Sequence, residues 1–68
     1  MIGMIIPPAQ IKERAEKTAE YVANNGEEFE SLVYQEEQSN PKFIFLHKDN
    51  PYRPYYDFMV NEYRKKIL

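Results

Sequence analysis

The chain has 68 residues, 43% of them hydrophobic and 15% aromatic, with no cysteine, one histidine, two glycines and a net charge of −2. That length allows one domain of marginal stability, the lack of thiols excludes a disulfide scaffold or a thiolate metal centre, and a single histidine cannot assemble the usual zinc sets. No serine or threonine stands in a nucleophile-elbow or phosphate-loop context, so neither enzymatic chemistry nor a cofactor is expected, and the slightly acidic balance disfavours tight RNA binding by this segment alone.

Residues 1–8 read as an N-terminal arm and 9–68 as the folded domain. Met1 to Ile6 is apolar, but it has no basic flank, stops at Pro7-Pro8 and is far too short to span a bilayer, so it is neither a signal peptide nor an anchor. It is expected to pack on the domain as an extended arm, or to be the cut edge of a longer protein. Pro7 and Pro8 suit the entry to a helix. Helix one is predicted from Ala9 to about Asn24, with Ile11, Ala15, Thr18 and Val22 on one stripe, Tyr21 at its edge and Glu13–Lys17 as an i,i+4 pair. A second, narrower face carries Ala15, Ala19 and Ala23, with Lys12 and Glu16 around them. Two readings fit it: a surface that merely favours helix, or a shallow groove open to another helix.

Asn24-Asn25-Gly26 is expected to end that helix, with Asn25 also a candidate cap for the next one. Glu27, Glu28 and Glu30 complement the dipole of helix two. This second helix should reach about Ser39, bury Phe29, Leu32 and Val33, and leave Glu36 and Glu37 in solvent. Asn40-Pro41 stops it. The run Phe43-Ile44-Phe45-Leu46 must lie inside a chain this short. No second run exists to pair with it as a strand, so it is read as a tight turn or single 3₁₀ turn, with Phe43 and Leu46 pointing the same way; a strand and an exposed epitope are the alternatives.

His47 is read as an ordinary loop or structural histidine in a polar turn, with a pH-responsive contact the alternative. Asn50 and Pro51 suit an N-cap and first helical residue, with Arg53 the other candidate start. Helix three carries Tyr52, Tyr55, Tyr56, Met59, Tyr63 and Ile67 at intervals of three and four. The stripe reads mainly as core. The alternative is an RNA-binding face in which Tyr52 and Tyr55 stack on bases beside Arg53 and the basic end Arg64, Lys65 and Lys66.

The string Lys17 to Gly26, followed by Glu28-Phe29-Glu30, then Asn40-Pro41-Lys42-Phe43 with Phe45-Leu46, then Asp49, Pro51-Tyr52 and Tyr55-Tyr56, resembles the SURP module, also called SWAP, of eukaryotic splicing factors. The leading Ile2-Gly3-Met4-Ile5-Ile6-Pro7-Pro8 further resembles the approach to the first SURP module in the splicing factor 3a branch of that family, a component of the U2 snRNP. The resemblance implies an all-α module ordered helix, helix, 3₁₀ turn, helix, working in nuclear pre-mRNA splicing. It implies a dock on the first helix for a helical segment of another splicing protein. Residue by residue, the dock would comprise Ile11, Lys12, Ala15, Glu16, Ala19 and Ala23. Where the family's pattern expects an aliphatic residue for a fully apolar partner, this chain has Lys12, which implies a partner with a matching acidic residue, such as the branch-point-binding splicing factor 1. Other splicing factor 3a subunits are the further partners implied.

Overall fold

A computed structural model describes residues 4–67, Ile67 by its backbone alone. Among the described residues there are three α-helices and one 3₁₀ segment: α1 over Ala9–Asn25, α2 over Glu27–Glu37, the 3₁₀ segment over Pro41–Leu46 and α3 over Arg53–Ile67. The expected order of helix, helix, 3₁₀ turn, helix holds.

Helix α1 begins directly after the proline pair, the Pro8 carbonyl accepting the Lys12 N–H at 2.7 Å. Its last carbonyls are met by the side chains before the turn. Asn24 Nδ2 donates to the Glu20 carbonyl at 2.9 Å and Asn25 Nδ2 to that of Tyr21 at 2.8 Å, so Asn25 serves the helix behind it and does not cap α2. Gly26 then reverses the chain at φ +97°. A Cβ at Gly26 would meet nothing within 4 Å, so Gly26→Val is expected to lower stability by backbone strain alone, by about 1–3 kcal/mol, measured as a drop in Tm.

In α2 the buried side is rotated from the one expected. Phe29 and Val33 are half-buried against the core, but Leu32 is 53% exposed. Glu30 and Glu37 fall on the inner flank instead, about 100° of helical rotation per residue placing 29, 30, 33 and 37 together. Both carboxylates find polar partners there: Glu37 accepts from Asn40 Nδ2 at 2.8 Å, and Glu30 reaches α3. Glu37 is thus not a solvent residue. Tyr21 stands edge-on to Phe29, with ring centroids 4.5 Å apart, and covers the join between α1 and α2.

Asn40 caps the 3₁₀ segment, its Oδ1 accepting the Lys42 N–H at 3.0 Å. The segment is the expected plug, with one difference. Phe43 leaves helical geometry at φ −112°, ψ 19°, which breaks the threefold repeat that would align it with Leu46. Phe45 and Leu46 are therefore the buried pair and Phe43 is only half-buried. His47, just beyond, is hydrogen-bonded to the Tyr34 hydroxyl at 3.3 Å.

Asn50 Oδ1 accepts the Tyr52 N–H at 2.8 Å in the turn that leads into α3. The helix itself starts at Arg53, the later of the two candidate positions, with Pro54 in its first turn where a missing donor matters little. Tyr55 and Tyr56 are buried and Tyr52, Met59 and Tyr63 half-buried; Val60, not anticipated, is buried as well. The Ile67 side chain lies outside the described residues.

The core joins Ala15, Ala19 and Val22 of α1 to Phe45 and Leu46 and to Tyr55, Tyr56 and Val60 of α3. Helix α1 packs on all the other elements, whereas α2 and α3 meet through side chains only. Arg53 makes most of that bridge. Its Nη1 donates to the Leu46 carbonyl at 2.8 Å, its Nη2 to Glu30 at 3.1 Å and its Nε to Asp57 at 3.0 Å, while the guanidinium lies 5.1 Å from the Tyr56 ring centre. Burial works against that charge, but Glu30 and Asp57 outweigh it and hold Arg53 above its usual range. The Tyr56 hydroxyl donates to the other oxygen of Glu30 at 3.0 Å. Burial, then Glu30, pushes that phenol well above its ordinary value.

Among the described residues of the arm, Met4, Ile5 and Ile6 are exposed and Pro7 is buried. The expectation that the arm packs on the domain fails for residues 4–6; Met1, Ile2 and Gly3 lie outside the described residues.

Candidate docking surface

The six residues assigned to the dock on helix one do not form one open face. Ala15 and Ala19 are both 0% exposed and belong to the core, so they cannot touch a visitor. Their smallness serves the domain itself, letting α3 come close to α1. Ile11 packs half-buried against the core, about 100° around α1 from Lys12. Lys12, Glu16 and Ala23 remain on the rim of the α1–α3 seam, each half-exposed, and Glu20 extends the same rim outward by its helical position.

The polar rim is tied to the core through Tyr55. Its hydroxyl donates to Glu16 Oε2 at 2.5 Å, and the same oxygen pairs with Lys12 Nζ at 2.8 Å. Burial first, then the neighbouring Glu16, pushes the Tyr55 phenol up to about 12. The hydrogen bonds from Lys12 and Tyr55 hold the Glu16 carboxyl below its ordinary value. At neutral pH Glu16 is therefore a carboxylate and Tyr55 a neutral phenol. Because Tyr55 pins Glu16, and Glu16 holds Lys12, the Lys12 Nζ has a preferred position, with Glu16 its one ion-pair partner among the described residues.

On α3 exposed apolar side chains lie beside the half-exposed carboxylate of Glu62. Phe58, one turn beyond Tyr55, is 45% exposed, and Met59 and Tyr63 are half-exposed. A thioether and aromatic edges make an adaptable surface for an apolar helix face. None of these three was assigned to the dock from the sequence. Phe58 was legible as the neighbour of Tyr55 at i,i+3; Met59 and Tyr63 were read only as core.

The alternative RNA-binding set loses its central members. Arg53 has its guanidinium engaged on all sides and its side chain only 15% exposed, and buried Tyr55 presents no ring face for a base. Tyr52 is half-buried. The basic end is partnered within the domain: Arg64 lies 4.0 Å from Glu27, Lys65 pairs with Glu62 at 3.1 Å, and Lys66 sits 5.4 Å from the Tyr63 ring centre. No cluster of three or more metal-ligating side chains occurs among the described residues.

The profile of the Surp module matches residues 6–68. The chain is 49% identical over 66 residues to pre-mRNA-splicing factor sap114 of Schizosaccharomyces pombe, covering 97% of this chain and 14% of that protein. It is 43% identical over 65 residues to human splicing factor 3A subunit 1, covering 96% of this chain and 8% of that protein. A more distant match, 40% identical over 45 residues, is the human calcium homeostasis endoplasmic reticulum protein, covering 63% of this chain and 5% of that protein. The chain thus spans a small share of the relatives it matches. Its helix, helix, 3₁₀, helix order and its near end-to-end match to the profile make one statement: this chain belongs to the Surp module family.

Proposed function

We propose that the chain is a non-enzymatic protein-interaction module of pre-mRNA splicing, acting in the nucleus within a splicing factor 3a-type protein of the U2 snRNP, and that it receives an amphipathic helix of another splicing protein at the α1–α3 seam. The observation that carries this reading is the 43–49% identity, across nearly the whole chain, to splicing factor 3A subunit 1 and sap114. The seam supports the mode of binding: Lys12, Glu16 and Ala23 on one rim and Phe58, Met59 and Tyr63 on the other offer a polar edge beside an apolar strip, the pattern an amphipathic helix matches. The branch-point-binding splicing factor 1 is the partner proposed for this surface, alongside the other splicing factor 3a subunits that the parent protein would meet.

Titrating the module with the helical segment of splicing factor 1 tests the reading. Lys12 is 44% exposed, so Lys12→Glu is expected to keep the fold and to weaken binding by about tenfold through like-charge repulsion. Unchanged affinity in that variant would place the contact elsewhere.

A further inference from the structure

We infer that Asn25 is a site of spontaneous deamidation, that the folded last turn of α1 holds the reaction back, and that the product cannot rebuild that turn. Of the five asparagines, Asn40 and Asn50 precede proline, which has no N–H to give up, and Asn24 and Asn61 precede residues whose side chains crowd the following nitrogen. Asn25 alone precedes a glycine, so no Cβ shields the Gly26 nitrogen from the side chain before it. In the first step that nitrogen attacks Cγ of Asn25. A C–N bond closes a five-membered succinimide, the Gly26 proton passes to Nδ2, and Nδ2 leaves as ammonia. Water then opens the ring at either carbonyl, giving aspartate or isoaspartate, in which the main chain runs through the former side chain.

The fold occupies both reacting groups. The Gly26 N–H donates to the Val22 carbonyl at 2.7 Å, and Asn25 Nδ2 to the Tyr21 carbonyl at 2.8 Å. Both bonds must break before the nitrogen reaches Cγ, so the reaction proceeds from states in which the end of α1 is open. A helix end opens more readily than the core, and Asn25 is exposed, which brings water to the second step. The way back is different. Either product lacks the Nδ2 donor and sets a carboxylate beside the Tyr21 carbonyl, at the negative end of the helix dipole. The last turn of α1 has no basic residue to receive that charge, and Glu27 and Glu28 follow it. Isoaspartate also adds a carbon to the main chain just before Gly26, whose φ of +97° makes the reversal into α2, and so disturbs the Tyr21–Phe29 contact across the turn. Deamidation therefore runs one way, toward a looser join between α1 and α2.

The test is to incubate the module at body temperature in mildly alkaline buffer, once folded and once in guanidinium chloride, and to follow it by peptide mass spectrometry and an isoaspartyl methyltransferase assay. A gain of one mass unit is expected at Asn25 and not at the other asparagines, about tenfold slower in the folded module than in denaturant. Asn25→Gln, which would have to close a slower six-membered ring, should stay unmodified over the same period. Asn25→Asp stands for the aspartate product. It is expected to keep its helical circular dichroism and to lower Tm by about 4–8 °C, the shift that losing one surface hydrogen bond and opposing the helix dipole brings in a domain of this size. Equal rates in the two conditions, an unreactive Asn25 in denaturant, or modification spread over the other asparagines would overturn the inference, and so would a Tm for Asn25→Asp equal to that of the parent.

Discussion

Phe45→Ala is expected to abolish cooperative folding near room temperature. The Phe45 ring is 0% exposed, stands 5.3 Å from the Tyr56 ring and 5.8 Å from Phe43, and joins the 3₁₀ segment to both α1 and α3 in one core cluster. Emptying such a site costs about 3–5 kcal/mol, which for a single core of this size is comparable with the whole stability. Phe43→Ala, at a half-buried ring covered on one side by Arg14, should instead lower Tm and keep a cooperative transition. A thermal melt followed by circular dichroism separates the two. A near-normal melt for the Phe45 variant would mean that the 3₁₀ segment does not hold the helices together.

Ala19→Glu is expected to unfold the domain outright. Read from the sequence, the change would block a docking groove on an intact fold; at a fully buried position it instead forces a carboxylate into the packed core beside α3. An unpaired buried charge costs several kcal/mol even after relaxation, and the added volume costs about 1–3 kcal/mol more. Ala23→Glu, on the half-exposed end of the same stripe, should leave the circular dichroism spectrum intact. If Ala19→Glu melts like the parent, α3 does not cover that face of α1.

These two variants mark where the sequence was readable. Punctuation was the clearest signal: Gly26 with positive φ, Asn40 capping before Pro41, and the proline pair ahead of Ala9 each act within a few residues, and the helices start and stop beside them. Which side of each helix turns inward was less legible. In α1 the two stripes share Ala15 and diverge by about 70°, so periodicity alone could not say whether α3 covers the alanines. In α2 the inward pull on Glu30 comes from Arg53 and Tyr56, which lie 23 and 26 residues further on, and the rotation exposes Leu32. The local kink at Phe43, half-buried beside buried Leu46, has no composition signal. Val60 was passed over because the aromatic residues around it drew the stripe.

The same limits shaped the site. Helical spacing places Lys12 and Glu16 around the small-residue face and the family resemblance assigns them to the dock; the hydroxyl of Tyr55 on Glu16 joins residues 39 apart and was not legible. Arg53 illustrates the reverse error. A lone arginine beside tyrosines reads as a phosphate or base contact, but here two carboxylates and a carbonyl engage it inside the domain.

Amide chemical-shift mapping of the labelled module during titration with the helical segment of splicing factor 1 tests the central claim most directly. The account predicts shifts running along α1 from Lys12 to Ala23 and along α3 from Tyr55 to Tyr63, with the outer side of α2 silent. Shifts centred on α2 around Leu32 and Tyr34, or on Arg64 to Lys66 alone, would contradict it.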